Sequence, residues 1–287
     1  GAGSGRELKG VGSFGGTSNY RKIFYNSYDV TELLKNGTEN VISAVGNSRD
    51  VARSILIQMT VFYKDGTKKI LTNSSVSASG WKTLDGTDAF ADDGSLITTG
   101  YVSILHDNYN ANAYPTGFYE ADFDDSAWQD AQVNYKTADH ASGVYNDGSS
   151  VLYPYPAENV LRVETNEANK TVYRNDKGNL IIDLGKEIIG GLKVNLNSST
   201  DQNITIRRGE EMNADGTVKY KLTAVPTYED VWKLKKGSNQ FETVTMRNFR
   251  YVELIGLDKA TEDALIKDPN MIKGWAMEQG FDEDVSD

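Results

Sequence analysis

An all-β fold, built as two antiparallel β-sandwich domains with one or two short helices, is what this sequence predicts. Three features carry that reading. The apolar runs are short and rich in Val, Ile, Thr, Tyr and Phe; Gly, Asn, Asp and Ser punctuate them about every dozen residues; and helical periodicity is scarce.

The elements follow in chain order. Asp29–Gly37, "DVTELLKNG", has an Asp to cap, a Glu three residues on and a Gly to stop, which predicts one or two helical turns. Arg53–Thr72, "RSILIQMTVFYKDGTKKILT", predicts a hairpin: Ile55, Ile57, Met59 and Val61 share a face and "KDG" turns the chain. In Ala121–Ala131, "ADFDDSAWQDA", Asp124 and Asp125 suit an Asx turn that lets Phe123 and Trp128 anchor a last strand. The competing reading makes Asp122, Asp124 and Asp125 a calcium site or a catalytic carboxylate pair.

Ile181–Leu196, "IIDLGKEIIGGLKVNL", reads as two strands hinged at Gly190-Gly191, where side chains would collide, with Gly185 serving the preceding turn in the same way. Leu192–Asn197 with Asn203–Glu211 predicts a second hairpin. Tyr228–Met246 predicts a third, turning at Gly237-Ser238-Asn239, with Trp232 and Leu234 on the core face. "NADG" within Gly209–Val218 is a tight turn, because its acids lack the spacing of a calcium loop. Ala260–Pro269 predicts a short helix stopped by its proline.

A length of 287 residues suits two domains. Asn134–Val160 is rich in Ser, Gly, Asn and Asp, then carries Pro154 and Pro156, and marks the division. We therefore expect a first domain at 1–135, a linker at 136–150, a second domain at 151–273 and a connecting segment at 274–287. The opening "GAGSG" reads as a flexible lead, with no apolar stretch of a signal peptide behind it.

Composition removes several function classes. A net charge of −11 with no dense Lys/Arg block argues against nucleic acid as a partner. No apolar run approaches the roughly 18 residues of a membrane-spanning helix, so no membrane partner is expected. The absence of cysteine excludes disulfides and thiolate chemistry, and two histidines, His106 and His140, leave little for a triad or a multi-His zinc site. Secreted, periplasmic or cell-surface placement is favoured over the cytoplasm.

The most site-like stretch is Ser103–Phe118, "SILHDNYNANAYPTGF". Asp107, Asn108, Asn110 and Asn112 gather oxygen-bearing side chains of the kind calcium prefers, with Tyr109, Tyr114 and Phe118 among them. Planar apolar faces beside directional hydrogen-bonding groups also suit a sugar. The alternative is a polar surface loop that binds nothing. Trp81 is open to two readings, stacking on a sugar or closing the mouth of a sandwich core, and His106 reads as a strand-end residue rather than a ligand.

The order of motifs resembles the N-terminal region of bacterial α-L-rhamnosidases. Tyr20–Asn47, "YRKIFYNSYDVTELLKNGTENVISAVGN", is similar to their first β-sandwich module, and Ala121–Ala131 to that module's exit. Ile181–Leu196, Arg207–Tyr220 ("RRGEEMNADGTVKY") and Asn248–Gly256 ("NFRYVELIG") resemble strands of the following sandwich, and Gly280–Asp287 the passage toward a catalytic domain. The chain departs from the family pattern at Gly191-Leu192, where a Trp is usual, at Arg247-Asn248, where an aromatic or His with Gly is usual, and before Arg6, where the opening strands are missing. The resemblance implies jelly-roll, concanavalin-like sandwiches without the helical barrel that carries the catalytic carboxylates, so no catalytic residue is expected here. It implies a rhamnose-containing glycan and the absent catalytic domain as partners, with calcium as the candidate cofactor. Carried over by motif, the sugar-binding positions are Asn47, Asp50, Asp107, Asn108 and Asn112, with Trp81 added from the residues themselves; Asp107, Asn108 and Asn112 are the candidate calcium ligands. The rival reading is a stand-alone carbohydrate-binding or adhesin-like surface module.

Overall fold

The structure, a computed structural model, describes residues 21–25, 27–46, 55, 57–72, 80–90, 97–98, 103–132, 150–154, 160–165, 170–221 and 227–279. Its early strands are β1 (Arg21–Tyr25), β2 (Gln58–Phe62), β3 (Lys68–Thr72), β4 (Lys82–Thr83), β5 (Ile97–Thr98), β6 (Ser103–Ile104), β7 (Tyr109–Asn110), β8 (Gln129–Asp130) and β9 (Ser150–Pro154). The later ones are β10 (Val160–Glu164), β11 (Thr171–Arg174), β12 (Leu180–Ser198), β13 (Gln202–Gly209), β14 (Glu229–Leu234), β15 (Gly237–Glu242), β16 (Arg247–Ile255) and β17 (Ile272–Gln279), with one α-helix, α1 (Lys259–Lys267). Contacts group Asp85–Thr116 with Val160–Asp287 in one compact unit, and Ser4–Leu84 with Gly117–Asn159 in another. That grouping is interleaved along the chain, whereas the composition shift suggests a single division at 136–150.

The first unit is a curled nine-stranded sheet in the order β10-β17-β12-β16-β13-β14-β7, with β11 and β15 also paired to β12. Strand β12 is its backbone. Its first residues pair with β11 and β16, Gly190–Val194 pair with β17, and Lys193–Ser198 pair with β15. One strand thus belongs to both halves of the sheet, and its inward residues Ile182, Leu192 and Leu196 meet Ile204 and Ile206 of β13, Trp232 of β14 and Phe249 and Leu254 of β16 in one core.

Strand β12 runs unbroken through Gly190-Gly191, where a hinge between two strands is expected. The register shift lies between Asp183 and Ile188, and Gly185 there has φ 78°, with its N–H held by Asp183 Oδ1 at 2.8 Å. Gly190 and Gly191 stay in regular strand, and their lack of side chains serves close packing. A Cβ on Gly190 would fall 1.8 Å from the Trp275 carbonyl oxygen, and one on Gly191 2.4 Å from Thr243 Oγ1.

Two of the three expected hairpins are also corrected. β12 does not pair with β13, nor β14 with β15; β13 pairs with β14 and β16, and β15 with β12. Each of these turns carries the chain from one part of the curled sheet to another. Alternation reports that a strand has one buried face, and in a sandwich the next strand can lie in the opposite sheet.

Helix α1 begins at Asp258, whose side chain accepts the N–H groups of Ala260 and Thr261, and a 3-10 turn follows at Pro269–Met271. Leu265 buries completely against the core.

The second unit holds short strand pairs: β1 with β9 in parallel, β2 with β3, and β4 with β8. The β2–β3 hairpin is the one the sequence predicts, closed by Tyr63 N–H on the Thr67 carbonyl at 2.9 Å. The helix expected at Asp29–Gly37 contracts to a 3-10 turn, Thr31–Leu33. The Asx turn at Asp124 is present, accepting Ser126 N–H at 3.0 Å, with Phe123 edge-on to Trp128 at 5.5 Å.

Candidate functional site

The densest polar arrangement among the described residues sits inside the first unit, where strand alternation turns charged side chains inward. On β13, Ile204, Ile206 and Arg208 are buried in alternation; on β14, Asp230, Trp232 and Leu234; on β16, Arg247 and Phe249. Arg208, Asp230 and Arg247 therefore occupy core positions by parity alone.

Asp107 joins them from the Asp85–Thr116 segment. The side chains of Asp107, Arg208, Asp230 and Arg247 are each exposed by no more than 1%. Arg208 Nη2 donates to Asp107 Oδ2 at 2.6 Å and to Asp230 Oδ2 at 2.8 Å. Arg247 grips Asp230 with both terminal nitrogens, at 2.7 and 3.0 Å, and its Nη2 also donates to the Leu105 carbonyl at 3.1 Å. Asp107 Oδ1 accepts the N–H groups of Val244 and Thr245 at 3.0 and 2.9 Å, and Oδ2 accepts the Thr245 hydroxyl. Two positive and two negative charges make the network neutral, which offsets much of the cost of burying them, while Arg208 Nε and Nη1 and Arg247 Nε have no hydrogen-bond partner among the described residues.

The electrostatics fit this arrangement. Burial alone would raise the Asp230 carboxyl, but the guanidiniums of Arg247 and Arg208 outweigh it and hold Asp230 far below the usual carboxylate range. Burial works against the charge on Arg208, and Asp107 and Asp230 overcome it, leaving the guanidinium raised. His106, at the rim, is raised chiefly by its contact with Asp230. Its Nδ1 lies 3.1 Å from the Glu229 carbonyl oxygen.

This geometry accounts for the expected site residues differently from a calcium or sugar loop. Each carboxylate oxygen of Asp107 accepts two protein donors. Asn108 Oδ1 accepts the Val231 N–H at 2.8 Å, which fixes it to β14. Asn112 is exposed, and its N–H donates to Asn110 Oδ1 at 3.2 Å within a turn. Trp81 is half-buried in the other unit, its carbonyl accepting Ala131 N–H at 2.9 Å. Asn47 and Asp50 lie outside the described residues. Among the described residues no group of three or more His, Asp or Glu side chains could hold a metal ion.

Sequence reasoning does not single out Arg208 or Asp230, and marks Arg247 only as a departure from the family pattern, although a signal exists. Each shares strand parity with residues that read as core.

Nor does the arrangement suit acid–base hydrolysis. A glycosidic pair needs two carboxylates facing a cleft about 6.5–9.5 Å apart, one of them protonated. Asp107 and Asp230 share one guanidinium nitrogen deep in the core. Glu253, equally buried, is occupied by Asn179 Nδ2 at 2.8 Å, Asn175 Nδ2 at 3.2 Å and Val218 N–H at 3.2 Å, and pins two turns to β16.

Comparison with known proteins agrees with this architecture. Over 257 residues the chain is 24% identical to an α-L-rhamnosidase of Streptomyces avermitilis, covering 84% of this chain and 22% of that protein. Over 276 residues it is 24% identical to an α-L-rhamnosidase of Formosa agariphila, covering 87% of this chain and 26% of that one. The chain thus spans about a quarter of the length of the curated relatives it matches. The solved α-L-rhamnosidase from Dictyoglumus thermophilum superposes with a TM-score of 0.54 at 20% identity, over 90% of this chain and 27% of that one, and shares the fold. Residues 173–278 match the bacterial α-L-rhamnosidase concanavalin-like domain. β12 to β17 and α1 lie within that stretch almost to the last residue, so the part of the chain that matches this concanavalin-like domain is the larger part of the curled sheet, while Tyr109 and Ala111 bring core residues from outside it.

Proposed function

We propose that this chain is a non-catalytic β-sandwich part of an α-L-rhamnosidase-like glycoside hydrolase. The parent protein hydrolyses terminal α-L-rhamnosides of glycosides or polysaccharides, and this part packs on its catalytic domain and positions it. One observation carries the reading: residues 173–278 match a domain of that family, while the neighbouring inward carboxylates, Asp107 and Asp230, are neutralised by arginines rather than opposed across a cleft. The two curated relatives favour this over a stand-alone adhesin-like module. Because Asp107 is fully committed inside the sandwich, the proposal assigns a scaffold role with no rhamnose or calcium site at that residue.

The test is release of p-nitrophenol from p-nitrophenyl α-L-rhamnoside. A longer natural protein containing this chain is expected to turn the substrate over, and the purified chain to give only the blank rate. Turnover by the chain alone would overturn the proposal, as would inactivity of the longer protein toward every α-L-rhamnoside offered.

A further inference from the structure

We propose that the sandwich carries an internal peptide-binding site, formed by Arg208, Arg247, Thr245 and the outer edge of β14, whose ligand is the chain's own Leu105–Ala111. The family match at 173–278 does not include that ligand.

The site reads the backbone first. β7 adds to β14 in parallel, Tyr109 beside Trp232 and Asn110 beside Lys233. Ala111 N–H donates to the Lys233 carbonyl at 2.9 Å, Asp107 N–H to Asp230 Oδ1 at 2.7 Å, and Trp232 Nε1 to the Asp107 carbonyl at 3.1 Å. With Arg247 on the Leu105 carbonyl, the main chain is held along the whole segment. This is strand addition to a sheet edge, in which main-chain bonds supply affinity and side-chain pockets supply specificity.

The pockets then select three consecutive residues. Asp107 enters the Arg208–Thr245 pocket, Asn108 takes the Val231 N–H, and Tyr109 stacks on Phe241 with ring centroids 3.6 Å apart and planes 10° off parallel. An acidic residue, an Asn and an aromatic in extended conformation is the ligand chemistry the site fits.

Charge makes the binding obligatory. Without Asp107, Arg208 and Arg247 would share Asp230 alone, leaving one uncompensated positive charge in a core where both guanidiniums are essentially inaccessible. The other titratable groups facing the pocket are His106, which cannot supply a negative charge, and Tyr228, whose ring lies 5.1 Å from the Arg247 guanidinium and whose hydroxyl is raised by burial. The strand is therefore a structural ligand, and the sandwich is complete only with it seated.

A charge-removal cycle on the full chain tests this, read by urea unfolding and by amide hydrogen exchange. In the parent sequence, the amides of Asp107 and Ala111 are expected to exchange as slowly as those of Ile206 and Leu254 on β13 and β16. Asp107→Ala should lower the folding constant of the entire β12–β17 sandwich on the order of a hundredfold or more. Asp107→Ala combined with Arg208→Met should recover most of that loss, and this variant keeps the test valid if the single one fails to fold. Three outcomes would each overturn the proposal: strand amides exchanging more than about tenfold faster than sheet amides, a loss confined to 105–111, or a double variant no more stable than Asp107→Ala.

Discussion

Arg208 and Asp230 sit where an Ile or Leu would satisfy the pattern of their strands, and their burial depends on a residue about a hundred positions upstream. The parity of "NITIRRG" and "EDVWKL" places both side chains inward, so opposite charges at core positions were legible in the sequence. Their partner was not, because Asp107 lies in a loop-like stretch whose oxygen-bearing residues equally suit a surface or an ion. Tyr109 shows the same limit. It reads as an aromatic wall for a sugar, yet it is 1% exposed, stacked on Phe241 and edge-on to Tyr114 at 5.3 Å. Its hydroxyl has no hydrogen-bond partner among the described residues. An unpaired buried hydroxyl costs stability that a same-shaped apolar group does not. Tyr109→Phe is accordingly expected to leave stability unchanged or raise it by up to about 1 kcal/mol, whereas Tyr109→Ala should cost about 3–5 kcal/mol. Urea midpoints at constant slope report both, and a loss above about 1 kcal/mol for the Phe variant would show that the hydroxyl is bonded.

Among the elements, those fixed by local chemistry follow the sequence and those fixed by tertiary pairing do not. The β2–β3 hairpin, the Asx turn at Asp124, the tight turn at Asn213–Thr217 and α1 all form where turn and cap residues predict them. The β12–β13 and β14–β15 connections have equally good turn residues and lead to different neighbours, since a turn reverses the chain without choosing the strand it meets. The cap of α1 offers an element-scale prediction. Partial burial alone would raise the Asp258 carboxyl, but hydrogen bonds from Ser199, Thr261 and Gln202 outweigh that and lower it below the usual carboxylate range. A depressed folded-state value means the stabilisation is complete above the unfolded value of about 4 and is lost as pH falls through the folded one. Asp258→Ala should cost about 1–2 kcal/mol at neutral pH. Asp258→Asn keeps the Oδ1 acceptor of the helix cap without the charge, at the loss of the Oδ2 acceptor for Gln202 and the Thr261 hydroxyl. Its stability should fall less steeply than the parent's between about pH 4 and 2. An identical acid slope for the two proteins would refute the assignment.

For the whole molecule, composition and alternation suffice to reach an all-β chain with little helix, and the order of motifs suffices to reach the likeness to α-L-rhamnosidases. Contacts group Asp85–Thr116 with Val160–Asp287, so the compact units alternate along the chain, where the composition shift suggests one division. A linker-like composition marks where a chain is extended, and carries no information about which earlier segment returns to complete a sheet. The absence of cysteine from all 287 residues makes this arrangement directly measurable. Asn110 and Lys233 are paired across β7 and β14, and neighbouring strands lie about 4.8 Å apart, within the Cα separation a disulfide spans. Asn110→Cys with Lys233→Cys, oxidised in the native state and analysed by non-reducing electrophoresis and peptide mass, should give a monomeric intramolecular disulfide. Two free thiols after oxidation of the folded chain would contradict the claim that this strand completes the sandwich.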